Sequence, residues 1–248
     1  MIKVAVLGAR GRMGKNVCEA VLNSPDMELV ATMDTGDDFS VVAESGAHVA
    51  VDFTVPSVTE SNVHQLIDAG IHAVVGTTGW TEGSRARVAD HLADDGRNLG
   101  VLIAPNFGLS AVLAMSFAAK AAKFFESVEI VELHHPDKVD APSGTARHTA
   151  EAVAAARTEA GIPVSPDATV EGFEARGADV NGVRVHAVRL RGLVAHEEIL
   201  LGNAGEQLSI RQDSFDRVSF MPGVLLGIRE VSSRPGLTVG LENVMDLS

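Results

Sequence analysis

Cysteine is almost absent from this chain: Cys18 stands alone among 248 residues. A single thiol excludes an internal disulfide and any multi-cysteine metal site, and its helical spacing with Val17, Val21 and Leu22 makes it a packing residue. Long apolar runs are missing too; none approaches the ~20 residues that a membrane-spanning helix needs. No basic stretch followed by an apolar one precedes the strand-like run at residues 2–7, so no secretory leader is expected. Positive charge is scarce: 20 Lys and Arg against 33 Asp and Glu leave a formal net charge of −13. Such a chain repels nucleic acid unless it carries a local basic stripe, and only Arg10 with Arg12, and Arg184 with Arg189 and Arg191, gather at all. These absences point to a soluble, cytoplasmic protein with neither membrane nor nucleic acid as partner. An acidic chain that binds an anionic small molecule needs a local nest of positive groups, and that need directs the search.

What is present is an apolar fraction of 46% over a length that suits one large domain or two small ones. Short, nearly continuous apolar runs at residues 3–7, 28–33, 49–53, 73–75 and 99–103 read as strands covered on both faces. Helical patterns at 14–23, 57–69 and 82–93 alternate with them, and Ser57 with Glu60 after Pro56 reads as a capping box. Strand–helix repetition implies an α/β, Rossmann-like parallel-sheet domain with right-handed crossovers. The pattern changes after Pro105-Asn106. Helices are expected at 111–125 and 145–160, a strand at 128–133, a long polar loop at 162–182, and strands at 183–190, 197–201 and 207–212. That is a second, α+β domain with a mixed or antiparallel sheet. A helical pattern over 218–231 and a last apolar run at 237–239 could rejoin the first domain. The expected division is 1–107 with 218–248 for the first domain, and 108–217 for the second.

The first strand runs into Gly8-Ala9-Arg10-Gly11-Arg12-Met13-Gly14. Glycines between a strand and a helix allow a tight turn and let a pyrophosphate approach the backbone amides, where the helix N-terminus adds partial positive charge. The spacing is G-x-x-G-x-x-G rather than the commoner G-x-G-x-x-G. Asp34 ends the second strand, where a carboxylate can accept from an adenosine ribose. Two further loops, Gly76-Thr77-Thr78-Gly79 and Ala104-Pro105-Asn106-Phe107, follow the fourth and fifth strands and should line the same crevice. Trp80 could border it. The remaining histidines, 48, 64, 72, 91, 148, 186 and 196, lack metal-ligand spacing, so no metal site is expected.

The positive nest lies farther on. His134 and His135 end a strand, so they point to opposite faces; Lys138 follows, and Ser143-Gly144-Thr145 opens a helix whose amides suit a carboxylate. The acidic pair Glu197 and Glu198 reads as strand edge with no chemistry assigned.

The run Glu132-Leu133-His134-His135 through Lys138 to Asp140-Ala141-Pro142-Ser143-Gly144-Thr145-Ala146 resembles the signature of the dihydrodipicolinate reductases. So do the first glycine loop, Val75 to Gly79, and Ala104 to Phe107; the likeness covers essentially the whole chain. It implies reduction of a cyclic imine dicarboxylate, 4-hydroxy-tetrahydrodipicolinate, to tetrahydrodipicolinate with loss of water, using hydride from NADH or NADPH. It implies further that His134 is the acid–base residue, that Lys138 is a second proton donor, and that His135, Gly144 and Thr145 hold the substrate. A homotetramer built through the second domain's sheet is the usual assembly. Some members carry Glu-Arg at the end of the second strand; here Asp34-Thr35 stands there. Strict NADPH use is therefore not expected, though Arg10 and Arg12 could still meet a ribose phosphate.

Overall fold

A computed structural model describes residues 1–170, 175–245 and 247. The chain divides into two compact units, Met1–Gly108 with Arg217–Ser248, and Leu109–Asp216.

The first unit holds a six-stranded parallel sheet. Its strands are β1 (Ile2–Leu7), β2 (Met27–Met33), β3 (Val49–Asp52), β4 (His72–Val75), β5 (Gly100–Ile103) and, from the end of the chain, β11 (Gly236–Val239). The spatial order is β11-β5-β4-β3-β1-β2. Alternation divides β1 between two faces: Ala5 and Leu7 join Val63, Leu66, Val88 and Leu92 of the helices α3 (Pro56–Asp68) and α4 (Glu82–Asp95) in one core cluster. Val4 and Val6, equally buried, point the other way. Helices α1 (Arg12–Leu22) and α7 (Met221–Glu230) pack on each other. A short helix, α2 (Ser40–Ala43), went unread in the sequence.

Order reverses between β1 and β3, which places a crevice beyond the carboxyl ends of those strands. The capping box expected at Ser57 and Glu60 does not form. Pro56 takes the first helical position, so the cap falls on Val55 and no side chain bonds there. Thr81 and Ser84 form the capping box instead, at the start of α4.

The second unit has a five-stranded sheet ordered β10-β9-β6-β8-β7. These are β6 (Ser127–His134), β7 (Ala178–Val180), β8 (Val183–Arg189), β9 (Ala195–Asn203) and β10 (Glu206–Ser214). The β6–β8 pair is parallel and the other pairs antiparallel. Helices α5 (Leu109–Ala122) and α6 (Gly144–Glu159) cover one face, burying Ala114, Ala118, Ala146 and Ala150 against Ile130, Val185 and Ile199. The small alanines let both helices lie close on the strands. The polar stretch at 162–182 contains β7, three residues too short to show a pattern, and residues 171–174 of it lie outside the described ones. No helix among the described residues is long and apolar enough to cross a membrane.

Candidate active site

In the first unit the glycine loop turns on Gly8, which has φ +77°; a β-carbon there would meet the Phe53 carbonyl oxygen at 2.5 Å. Gly14 is tighter still, since its β-carbon would fall 2.0 Å from the Gly8 carbonyl oxygen. Only glycine lets α1 begin this close to the strand. Gly11 is the N-cap and supplies no side chain, so the first amides of α1 are left for a ligand.

Two clefts flank this helix start. One, of about 570 Å³, is lined by Gly8, Gly11, Asp34, Asp37, Phe53 and Asn62 among others. The second, of about 340 Å³, is lined by Gly11, Arg12, Met13, Gly76, Thr77 and Thr78 with Phe53, Thr54 and Pro56. Asp34 accepts from the backbone N–H of Arg10 at 2.7 Å and of Thr35 at 2.8 Å. These two amides, Arg10's first, hold its carboxyl below the usual carboxylate range. Each oxygen keeps a lone pair for a ribose hydroxyl. The Arg10 side chain turns instead to Asp37, at 3.2 Å.

Of the residues expected to hold the cofactor, Ala9 and Arg10 line neither cleft, and Arg10 serves through its amide. Nor do Ala104, Pro105, Asn106 and Phe107 line them. Phe107 is buried and sits tilted against Phe53 with ring centres 5.9 Å apart, so it supports the floor from below. Trp80 packs partly buried on the core and donates from Nε1 to the Thr77 carbonyl at 3.0 Å.

Sequence reading missed Asp52. Fully buried at the end of β3, it accepts from the Thr54 amide at 2.8 Å, the Thr54 hydroxyl at 2.6 Å, Asn62 at 2.9 Å and the Thr77 hydroxyl at 2.9 Å. It thereby fixes the loops after β3 and β4 against each other beneath the clefts. The fit to a dinucleotide is good: open helix amides, a turn that admits only glycine, and a carboxylate where a ribose would lie.

In the second unit His134 ends β6 with its side chain 13% exposed. Its Nδ1 lies 2.5 Å from Oε2 of Glu132, which is fully buried and on the same face two residues earlier. Glu132 also accepts from both terminal nitrogens of Arg189, at 2.8 and 2.7 Å, and from the Ser143 amide at 3.0 Å. Burial works against the ionised Glu132, but Arg189 and then His134 outweigh it and hold its carboxyl below the ordinary range. Burial also pushes the His134 imidazole down, against the pull of Glu132. A neutral imidazole must therefore carry its proton on Nδ1, leaving Nε2 as the atom that gains or releases one.

Arg189 donates as well to the Asp140 carbonyl at 2.7 Å, so the same ion pair ties down the segment after His135. Lys138 pairs with Asp140 at 2.7 Å and holds that carboxyl below its usual range. Ser143 caps α6 by accepting from the Ala146 amide at 3.1 Å. Gly144 and Thr145 are the first two helical residues, and a β-carbon built on Gly144 meets no atom within 4 Å. The fold thus gathers His134, Lys138, Gly144 and Thr145 around one loop, with His135 beside them in the chain. Glu132 and Arg189 went unassigned in the sequence, though i, i+2 alternation from His134 points to the first.

Glu197 requires a correction. The sequence pattern places it at a strand edge without chemistry, yet β9 is an inner strand and Glu197 is 2% exposed, directly opposite Glu132.

Comparison with known proteins gives a consistent picture. The family model described as dihydrodipicolinate reductase, N-terminus, matches residues 2–107, and that described as its C-terminus matches 110–245. A 4-hydroxy-tetrahydrodipicolinate reductase of Beutenbergia cavernae is 63% identical over 247 residues, covering 99% of each chain. One of Corynebacterium diphtheriae is 56% identical over the same length and coverage. Among solved structures, a dipicolinate-bound dihydrodipicolinate reductase from Paenisporosarcina sp. TG-14 superimposes with a TM-score of 0.87 at 36% identity, over 99% of this chain and 100% of that one. A probable dehydrogenase from Thermotoga maritima, at 12% identity and a TM-score of 0.63 over 98% of this chain and 92% of that one, shares the fold alone.

Proposed function

The chain belongs to the dihydrodipicolinate reductase family, and from that premise we propose how its residues perform the family's reaction, the NAD(P)H-dependent reduction of 4-hydroxy-tetrahydrodipicolinate to tetrahydrodipicolinate. The bound nicotinamide supplies a hydride. The glycine loop, Asp34 and Gly76 to Thr78 hold the cofactor, with Arg12 and Met13 at the helix start; Phe107 supports the crevice floor through Phe53. Lys138, His135 and the amides of Gly144 and Thr145 hold the dicarboxylate, whose charge the acidic chain otherwise opposes.

The observation that carries this reading is the bond from His134 Nδ1 to the buried Glu132. It fixes the tautomer and the ring, and commits Nε2 to the proton that must accompany hydride addition. Lys138 exchanges Asp140 for a substrate carboxylate and serves as the second proton donor. The protein works as a cytoplasmic homotetramer joined through the sheet face opposite α5 and α6.

Cofactor oxidation with freshly generated substrate tests the reading. His134→Gln should lower kcat by roughly 10²-fold with a modest change in KM. Thr145→Val should raise KM and leave kcat near normal. Near-normal kcat in His134→Gln would move the proton role to Lys138 or to water.

A further inference from the structure

The buried face of the second sheet holds two carboxyl groups in register. Glu132 of β6 stands directly opposite Glu197 of β9, and both are withdrawn from solvent. Like charges in that position repel. Their surroundings differ sharply. Glu132 has donors on both oxygens: Arg189 on each, Ser143 on one and His134 on the other. Among the described residues the Glu197 side chain has one hydrogen bond, to the Thr149 hydroxyl at 3.3 Å, and its Oε1 has no partner.

A threonine hydroxyl has a single hydrogen, and that of Thr149 is within reach of two acceptors, Glu197 Oε2 at 3.3 Å and the Thr145 carbonyl oxygen at 3.1 Å. At most one shared donor therefore faces Glu197 where four face Glu132, and a second buried negative charge in register with the first is left without compensation.

We propose that Glu197 is a protonated carboxylic acid in the resting enzyme and a positioning residue that, by releasing or taking its proton, sets the charge on the Glu132–His134 pair. The inference rests on the reading of His134 as the acid–base residue. Burial pushes the Glu197 carboxyl up to about 7; the Thr149 hydroxyl pulls against this, and the neighbouring Glu132 charge adds to it. The groups facing it are few. On β6 they are Glu132 and, diagonally, His134; on β8, Arg189, which Glu132 already engages. Gln212 is its partner on β10, with Ser110 of α5 behind at 3.4 Å, and Thr149 comes from α6.

Ionised Glu197 adds a second negative charge behind Glu132 and favours the imidazolium on His134. Protonated Glu197 leaves the imidazole neutral. The two sites therefore titrate as a coupled unit. The device keeps an acid available on His134 at a pH where an isolated buried imidazole would have lost it.

Glu197→Gln fixes the neutral state. Its kcat/KM relative to wild type should fall about tenfold between about pH 6.5 and about pH 8.5, as the alkaline limb moves down by roughly one unit. Glu197→Asp should return part of that shift. NMR titration of the His134 imidazole, identified by its loss in His134→Gln, should show the midpoint lowered by roughly one unit in Glu197→Gln. This readout needs no turnover. A failed catalytic assignment shows in the kinetics of His134→Gln, and a failed inference shows as an unmoved midpoint.

Stability gives a third reading. A carboxyl raised in the folded state contributes stability below its unfolded value and loses it as pH rises through the folded one. The Tm of Glu197→Gln minus that of wild type should thus grow more positive from about pH 4.5 to about pH 7.5. Superimposable pH profiles with an unmoved His134 titration overturn the proposal. If Glu197→Gln does not fold, the infrared band of a buried protonated carboxyl decides on the wild type: present near neutrality and lost at higher pH supports it, absent overturns it.

Discussion

Asp34 already accepts two backbone amides before any ligand arrives, so its removal does two things at once. It loosens the Arg10 amide, which affects either cofactor, and it removes a ribose acceptor, which affects the one with a free 2′-hydroxyl. The comparison between cofactors isolates the second effect. Asp34→Ala should raise the KM for NADH on the order of tenfold more than that for NADPH, since a hydrogen bond to a charged group contributes about 1.5–3 kcal/mol. Equal, small changes in steady-state kinetics would take Asp34 out of the ribose contact. Asp37 strengthens the case, because it occupies the Arg10 guanidinium that could otherwise meet a phosphate.

Residues of this kind were legible in the sequence because glycine spacing and a strand-ending acid are local signals. Glu132 was legible only through its i, i+2 spacing from His134, and Asp52 and Glu197 were not, because Asn62 and Thr77 reach the first, and Thr149 and Glu132 the second, from other elements. Glu197 is paired with Glu132 across sixty-odd positions of chain, and no window along the sequence puts the two side by side.

At the scale of elements, α1 offers a test whose sign is not the usual one. Alanine is a better helix former than glycine by about 1 kcal/mol, so Gly14→Ala would stabilise an isolated helix. Here the new β-carbon would lie 2.0 Å from a backbone oxygen and 2.7 Å from the Ala9 Cα. Backbone on both sides cannot yield cheaply. Gly14→Ala should therefore destabilise the protein by about 1–3 kcal/mol, the usual cost of overpacking, read as a lower denaturation midpoint, and weaken cofactor binding by calorimetry. A variant as stable as wild type would mean that α1 can start farther from β1.

The alternating strands and helices of the first unit were readable because β1, β3, β4 and β5 are buried on both faces and each reads as one apolar run. The misread capping box at Ser57 shows the limit: the motif was present, but proline at the first helical position moved the cap back to Val55. Likewise β7 is three residues long and takes its strand character from pairing with β8, which the sequence around it does not announce.

At the scale of the molecule, the second sheet is covered by helices on one face, and the other carries charge and apolar side chains together. Glu129 pairs with His186 at 2.7 Å and with Arg176, and Arg211 pairs with Glu198 at 3.3 Å. Val188 on this face is 36% exposed, one residue before the inward-pointing Arg189. A tetramer joined here would cover that row. Sedimentation equilibrium should return four chains for the wild type and a smaller species for Val188→Asp with unchanged circular dichroism. A wild type that sediments as one chain would reject this use of the face.

The strand β11 joins the first sheet beside β5, and the cofactor-binding unit is thus closed by the last stretch of the chain. In time, this sets an order of events on the ribosome. When β5 has been made, its outer edge has no neighbour, and it stays so until all of the second unit has been synthesised. Domains commonly fold as they emerge, so Leu109–Asp216 has the chance to form its own sheet while the first five strands wait with an open edge, the kind of surface that recruits foreign strands. A nascent chain stalled before Gly236 would hold the glycine loop, His134 and Lys138, yet depend on chaperones to keep β5 from the wrong partner.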